Sequence, residues 1–217
     1  MILPMFRLAS RLIASLLIAS WSLGSTSEAA ATEPPVILVF GDSISAGYGL
    51  PQLDKGWVSL LQAKLSASGY GYQVVNASVS GETTAGGLAR LPRALAVHHP
   101  AIVILELGGN DGLRALPVGA MHSNLAKMVE LARAAGSKVL LLGIRIPPNY
   151  GPDYAEQFRT TYTSLGQELH VPVLPFLLAD VALAPGLMQS DGIHPNESAQ
   201  GKLVANVWPP LEPLLAK

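Results

Sequence analysis

From Pro34 onward the chain alternates short, nearly continuous apolar runs with longer segments in which apolar residues return every three or four positions. The first pattern belongs to strands covered on both faces and the second to amphipathic helices, so their alternation predicts repeated βα units around a parallel sheet. Five strands are expected, over Val36 to Phe40, Tyr72 to Asn76, Ala101 to Leu107, Lys138 to Ile144 and Val171 to Leu174. The clearest helix runs from Val118 to Ala135, where Val118, Met121, Leu125, Met128, Val129 and Ala132 keep the helical rhythm and Gly136 stands where a capping glycine belongs. Its methionines read as core filler. Tyr154, Phe158, Tyr162, Leu165 and Leu169 form a second stripe, and Trp57 to Leu65 and Thr84 to Val97 read as helices. A last helix is expected from near Asn196 to just before Pro209-Pro210, because proline in a helix interior removes a hydrogen bond and clashes with the preceding turn. The fold class is α/β.

The first thirty residues break this pattern. Arg7 and Arg11 precede an apolar run from Leu12 to Leu23, followed by the small residues Ala29, Ala30 and Ala31. That is the three-part pattern of a secretory signal peptide, with cleavage expected near residues 29–31. The run is short of the ~18 residues that span a bilayer, so no stable membrane anchor is expected. The arginines are not adjacent, which argues against twin-arginine export. Cleavage removes Arg7, Arg11 and Glu28 and leaves 12 basic and 14 acidic residues in an exported, periplasmic or secreted protein. No repeat or interior linker divides the remainder, so residues 32–217 are read as a single domain.

Composition then narrows the chemistry. With 49% apolar and 13% charged residues, the chain is neither disordered nor a coiled coil. The near balance of 14 Lys and Arg against 15 Asp and Glu offers no footprint for nucleic acid or an anionic membrane. With no cysteine there are no disulfides, thiolate metal sites or Cys nucleophiles, so any reaction must use Ser, His, Asp, Glu or Lys.

In open parallel sheets ligands bind beyond the carboxyl ends of the strands, and the loops there are unusual. The first strand runs into Gly41-Asp42-Ser43-Ile44-Ser45, the second into Asn76 to Thr83, and the third into Gly108-Gly109-Asn110-Asp111. A fourth segment, Asp191-Gly192-Ile193-His194-Pro195-Asn196, precedes the last helix. A serine hydroxyl needs an imidazole to take its proton, and the imidazole needs a carboxylate to set its tautomer. Asp191 and His194, three residues apart in a glycine-containing turn, can form that pair, and Ser43 is the candidate nucleophile. Ser45 stands where a Gly-x-Ser-x-Gly elbow would have its last glycine, which disfavours an ordinary α/β-hydrolase. Gly81 can bring a backbone N–H close to a substrate and Asn110 can offer an amide, the two kinds of donor an oxyanion requires.

Together these four segments resemble the SGNH, or GDSL, family of serine hydrolases. The similarity extends through Gly41 to Gly49, Glu106 to Arg114, Pro148 to Gly151 and Met188 to Asn196, where the chain resembles the bacterial periplasmic acyl-CoA thioesterase, lysophospholipase and arylesterase subgroup. The resemblance implies a three-layer, flavodoxin-like fold with a five-stranded parallel sheet between helices. It also implies an esterase acting on acyl esters and thioesters with no metal and no organic cofactor. Ser43 would be the nucleophile, His194 the base and then acid, and Asp191 its orienting partner. The Ser43 and Gly81 N–H groups and the Asn110 side chain would form the oxyanion hole.

Other residues receive supporting or neutral readings. Asp42 and Asp111 are expected to hold loop N–H groups so that Ser43 and Asn110 stay in place, and Glu82 is open to the same supporting role or to facing solvent. Leu113, Pro148 and Tyr150 are expected to contact the acyl chain, since their loops flank the site. His98 and His99 are expected to end a helix, and His122 and His170 to be surface or helix-end residues. The sequons at Asn76 and Asn196 fall inside the catalytic segments and are discounted, because a glycan there would obstruct the site. An acyltransferase using the same acyl-enzyme stays open as an alternative, and a binding protein with a degenerate site is a more distant one. The expected partner is a small-molecule or lipid acyl ester, with no obligate protein partner evident.

Overall fold

The computed structural model of the protein describes residues 33–217; the signal-peptide expectation at residues 1–31 lies outside the described residues. Five parallel strands form one sheet: β1 (Val36–Gly41), β2 (Gln73–Asn76), β3 (Ile102–Glu106), β4 (Lys138–Leu142) and β5 (Val173–Leu174). Their order is β2-β1-β3-β4-β5, the doubly wound order of flavodoxin-like folds. The three central strands are the ones with unbroken apolar runs, and Ile37 to Phe40, Ile102 to Leu105 and Val139 to Leu142 are all buried. The edge strand β2 carries Gln73 and Asn76 exposed at its ends, as an element covered on fewer sides can afford.

The helices are α1 (Ser43–Ala46), α2 (Trp57–Ala67), α3 (Thr84–His98), α4 (Gly109–Leu113), α5 (Val118–Ala134), α6 (Pro152–Leu169) and α7 (Gln200–Leu211). The sheet grows outward from β1 in one direction to β2 and in the other through β3 to β5. Right-handed crossovers therefore place α2 on one face and α3, α5 and α6 on the other. The packing agrees: α3 lies against α5 and α5 against α6, while α2 pairs with α7. Gly136, at φ +86°, closes α5 with two bonds, Gly136 N–H to the Arg133 carbonyl and Ser137 N–H to that of Ala132.

Several boundaries differ from the sequence reading by a residue or two, the short helices α1 and α4 were not expected, and two of the differences have a clear local cause. The last strand is only Val173–Leu174, because the Val171 N–H turns back to the Gly166 carbonyl and completes the left-handed cap at His170. The last helix begins at Gln200, after a 3-10 turn at Glu197–Ala199, and runs through Pro209 and Pro210 to Leu211. Both prolines fall in its final turn, where the Glu212 N–H still reaches the Trp208 carbonyl and buried Val204, Val207 and Leu211 anchor the helix to the core. Pro92 is likewise carried inside α3, whose Leu91 and Leu95 are buried.

Strand order reverses between β1 and β3, the neighbours at the centre of the sheet. That crevice is where a ligand is expected in a doubly wound fold.

Candidate active site

β1 ends at Gly41, and Asp42 caps the short helix α1 by accepting the Ile44 N–H at 3.0 Å. Ser43 is thereby the first residue of α1, half-buried beyond the end of the central strand. The left-handed Gly47, at φ +78°, closes the helix after one turn and releases the chain toward Tyr48.

The segment carrying His194 arrives from the other end of the chain. Met188 and Pro195 form an antiparallel bridge, the Gln189 N–H bonds the His194 carbonyl at 2.8 Å, and Gly192 makes the turn at φ +67°. Gln189 also donates from Nε2 to the Tyr48 carbonyl at 2.8 Å, tying this loop to the end of α1. The Tyr48 ring lies against the His194 imidazole with centroids 4.6 Å apart.

These supports bring the predicted residues together. His194 Nε2 lies 2.8 Å from Ser43 Oγ, and its Nδ1 lies 2.7 Å from Asp191 Oδ2. The other Asp191 oxygen accepts the Ile193 and His194 N–H groups at 2.9 and 3.1 Å. Partial desolvation acts to raise the Asp191 pKa, but the bonds from the His194 ring and the two N–H groups, with the imidazole's charge, hold it down at about 2. Asp191 is thus an anion at neutral pH, facing the ring nitrogen remote from Ser43.

Gly81 and Asn110 line the same cavity as Ser43 and His194. Gly81 is left-handed, at φ +80°, and its carbonyl accepts from Arg114 Nη2 at 3.1 Å, which fixes its peptide from the α4 side. Asn110 donates one amide hydrogen to Asp42 Oδ2 at 3.2 Å; the amide carries a second. Asp42 is buried, and burial pushes its carboxyl up to about 6 against the pull of the Ile44 N–H, the His194 charge and the Asn110 amide.

Asp111 acts on a different arm from the one the sequence suggested. Its two oxygens take the Thr84 N–H at 2.8 Å and the Thr84 hydroxyl at 2.5 Å, and Asn124 donates to that hydroxyl in turn. Asp111 therefore pins the start of α3, and with it the loop containing Gly81, to the helix that carries Asn110. Glu82 does not face solvent freely: it pairs with Arg90 at 3.0 Å, and Arg90 bonds the Ala77 carbonyl and covers the Phe40 ring.

Beside Ser43 opens a cavity of about 520 Å³ with largely apolar walls, including Leu113, Ile144, Ile146, Phe176, Leu178 and Met188. Leu113 was expected there. Tyr150 is not in the lining; its hydroxyl donates to the Leu113 carbonyl at 3.0 Å and so braces a wall residue from behind. The Pro148 side chain falls outside the described residues. Tyr48, Gln189, Arg114 and most of the cavity wall are not among the site residues expected from the sequence. A signal existed for Tyr48, Arg114 and Gln189, which lie inside the segments that carried the resemblance; none existed for Phe176 and Leu178, which look like ordinary core residues.

The remaining histidines sit apart from this site. α3 ends at His98 with His99 as its left-handed cap, His170 caps α6, and His122 pairs with Glu168 at 3.0 Å. Among the described residues, no group of three or more His, Asp or Glu is placed to hold a metal ion. Both sequon asparagines have their amide nitrogens engaged, Asn76 with the Ser45 carbonyl at 2.8 Å and Asn196 with that of Gly186 at 2.7 Å.

Residues 39–201 match the model of the GDSL-like Lipase/Acylhydrolase family. The chain is 55% identical over 179 residues to esterase TesA of Pseudomonas aeruginosa, covering 82% of this chain and 89% of that protein. It is 46% identical to an arylesterase of Vibrio mimicus, covering 76% and 82%. Identity to thioesterase 1/protease 1/lysophospholipase L1 of Escherichia coli K12 is 43%, covering 82% and 84%. A crystal structure of TesA superposes with a TM-score of 0.81 at 54% identity, covering 83% of this chain and 99% of that one. The family match encloses the Ser43, Gly81, Asn110 and His194 loops at one switch point, and the chain belongs to the GDSL-like lipase/acylhydrolase family, as an ester hydrolase.

Proposed function

We propose that the protein hydrolyses acyl esters and thioesters through an acyl-enzyme on Ser43. The observation that carries this reading is the contact of His194 Nε2 with Ser43 Oγ at 2.8 Å while Nδ1 faces the Asp191 carboxylate at 2.7 Å. With Asp191 ionised, Nδ1 keeps its hydrogen and Nε2 is free to accept the serine proton. Ser43 Oγ then bonds the substrate carbonyl carbon, the proton passes to Nε2, and negative charge collects on the carbonyl oxygen. The Ser43 and Gly81 N–H groups and the free Asn110 N–H are the donors assigned to that oxygen. Collapse of the intermediate expels the alcohol or thiol, which takes the proton from His194. Water, deprotonated by His194, repeats the sequence on the acyl-enzyme and releases the acid.

The apolar cavity suits a hydrocarbon acyl chain, so aryl esters, acyl-CoA and lysophospholipids are the substrate classes assigned. The export pattern at residues 1–31 assigns the enzyme to the periplasm or medium; no described helix is long and apolar enough to cross a membrane.

The test combines p-nitrophenyl esters of graded chain length with a fluorophosphonate and intact-mass detection. Labelling of Ser43, with chain-length-dependent hydrolysis abolished in Ser43→Ala, is the expected result. Absence of labelling in folded protein overturns the mechanism. N-terminal sequencing of exported protein should find cleavage near residues 29–31.

A further inference from the structure

Glu106 is the one ionisable side chain in an otherwise apolar strand, and nothing in the acyl-transfer steps uses it. It ends β3 opposite Gly41 of β1 and is completely buried. Its Oε2 accepts the Ser45 hydroxyl at 2.6 Å and the Asp42 N–H at 3.3 Å. Among the described residues its Oε1 has no hydrogen-bond partner, and no Lys, Arg or His forms an ion pair with it. A Cβ on Gly41 would stand 2.7 Å from Oε2 and 2.8 Å from the Ser45 hydroxyl oxygen. The glycine of Gly41-Asp42-Ser43 is therefore required by close approach: it makes room for this carboxyl.

A buried carboxylate oxygen with neither donor nor counter-ion is among the most costly arrangements a fold can hold, and a proton removes the charge. We propose that Glu106 is held as a neutral carboxylic acid, protonated on Oε1, and acts as a positioning residue for Ser43 by fixing the Asp42 N–H and the Ser45 hydroxyl on either side of it. This rests on the reading of Ser43 as nucleophile. Burial, reinforced by the charge of Asp42, pushes Glu106 well above the usual carboxyl range, and the bonds from Ser45 and Asp42 do not offset it. The Tyr162 phenol, bonded to the Leu107 carbonyl at 3.0 Å, is the other titratable group within its field. A neutral Glu106 accepts hydrogen bonds as a carboxylate does without adding a second anion beneath the nucleophile. Asp42 is then left to hold the Ile44 N–H and the Asn110 amide.

Glu106→Gln reproduces the neutral acid, with its amide oxygen in the place of Oε2 and its NH₂ in the place of Oε1. The expected result is kcat within about threefold of wild type and an unchanged pH profile, whereas Glu106→Ala, which strands two donors, lowers kcat by roughly tenfold or more with little change in KM. The infrared difference spectrum of wild type against Glu106→Gln at neutral pH should contain the carbonyl stretch of a protonated carboxylic acid. Carboxylate bands alone in that spectrum overturn the proposal, as does a Glu106→Gln enzyme as impaired as Glu106→Ala. The infrared band reads the proton without reference to Ser43. Failure of the serine mechanism, seen as absent fluorophosphonate labelling, is therefore distinguishable from failure of the neutral acid.

Discussion

The Ser43 side and the His194 side of the site each carry an aspartate, and the two are driven in opposite directions. Asp42, one residue before Ser43, is buried beyond the carboxyl end of β1 and its carboxyl is pushed up to about 6. Asp191, on a surface turn, is solvated, takes three hydrogen bonds from within its own tetrad, and is held at about 2. The carboxyl nearest Ser43 in sequence is thus the poorer anion, and the carboxyl some 150 positions away is the one suited to stabilise an imidazolium. Burial places Asp42 where it can organise Asn110 and α1; exposure lets Asp191 stay charged at little cost.

The hardest test of this contrast is kinetic. Ser43→Ala and His194→Ala should each lower kcat by about 10⁵- to 10⁶-fold, the scale seen when a triad member that moves protons is lost. Asp191→Asn should cost roughly 10³- to 10⁴-fold, because the wrong tautomer of His194 is then favoured. Asp42→Asn, measured on the same ester, should cost less than Asp191→Asn. Equal losses would break the division of labour.

Next in size is Asn110→Ala, which should lower kcat by about 10²- to 10³-fold with KM little changed, as for other oxyanion donors. An unchanged kcat in a folded variant would remove Asn110 from the oxyanion hole and leave it as a partner of Asp42 only.

Stability gives the opposite ranking of the two aspartates. Since Asp42 titrates higher in the folded than in the unfolded state, the stability it confers is fully present below pH ~4 and is lost as pH rises through about 6. Asp42→Asn should therefore gain on wild type between about pH 4 and pH 8, by as much as ~3 kcal/mol from the size of the shift. Thermal unfolding at the two pH values checks this, and a pH-independent difference would show that Asp42 is not strained by burial.

The smallest expected effect belongs to Asp191. Its lowered pKa confers stability present above pH ~4 and lost as pH falls through about 2. Its side chain is 37% exposed, so solvent screening limits the loss in Asp191→Asn at neutral pH to less than ~1 kcal/mol. A larger drop in the same melts would mean that the His194 loop is held mainly by this carboxylate, not by Gln189 and the Met188–Pro195 bridge.

Much of this was legible in the amino-acid order because it depends on short-range pattern. Runs such as Val36 to Phe40 and Lys138 to Leu142 have the length and nearly continuous apolar content of strands between two layers, and Asp191 and His194 are close enough in the chain to meet in one turn. What escaped was assembled at long range. The cavity wall draws on Leu113, Ile144, Ile146, Phe176 and Met188 from four separate segments, so no local pattern marks it. Tyr150 was expected to touch substrate and instead braces Leu113, and Glu82, open in the sequence to a supporting or a solvent-facing role, meets Arg90; either role depends on which neighbour the fold delivers.

The sequence by itself determined the α/β order of elements, the five strands and the candidate-site segments at the ends of three of them, because hydrophobic period and turn chemistry act over a few residues. Only the tertiary structure decided which strands are neighbours, which walls enclose the cavity beside Ser43, and which carboxyls bear charge. Those properties come from burial and from partners dozens of residues away. Asp42, Glu106 and Asp191 carry the same chemical group, and the surroundings that the fold builds around each one set its proton.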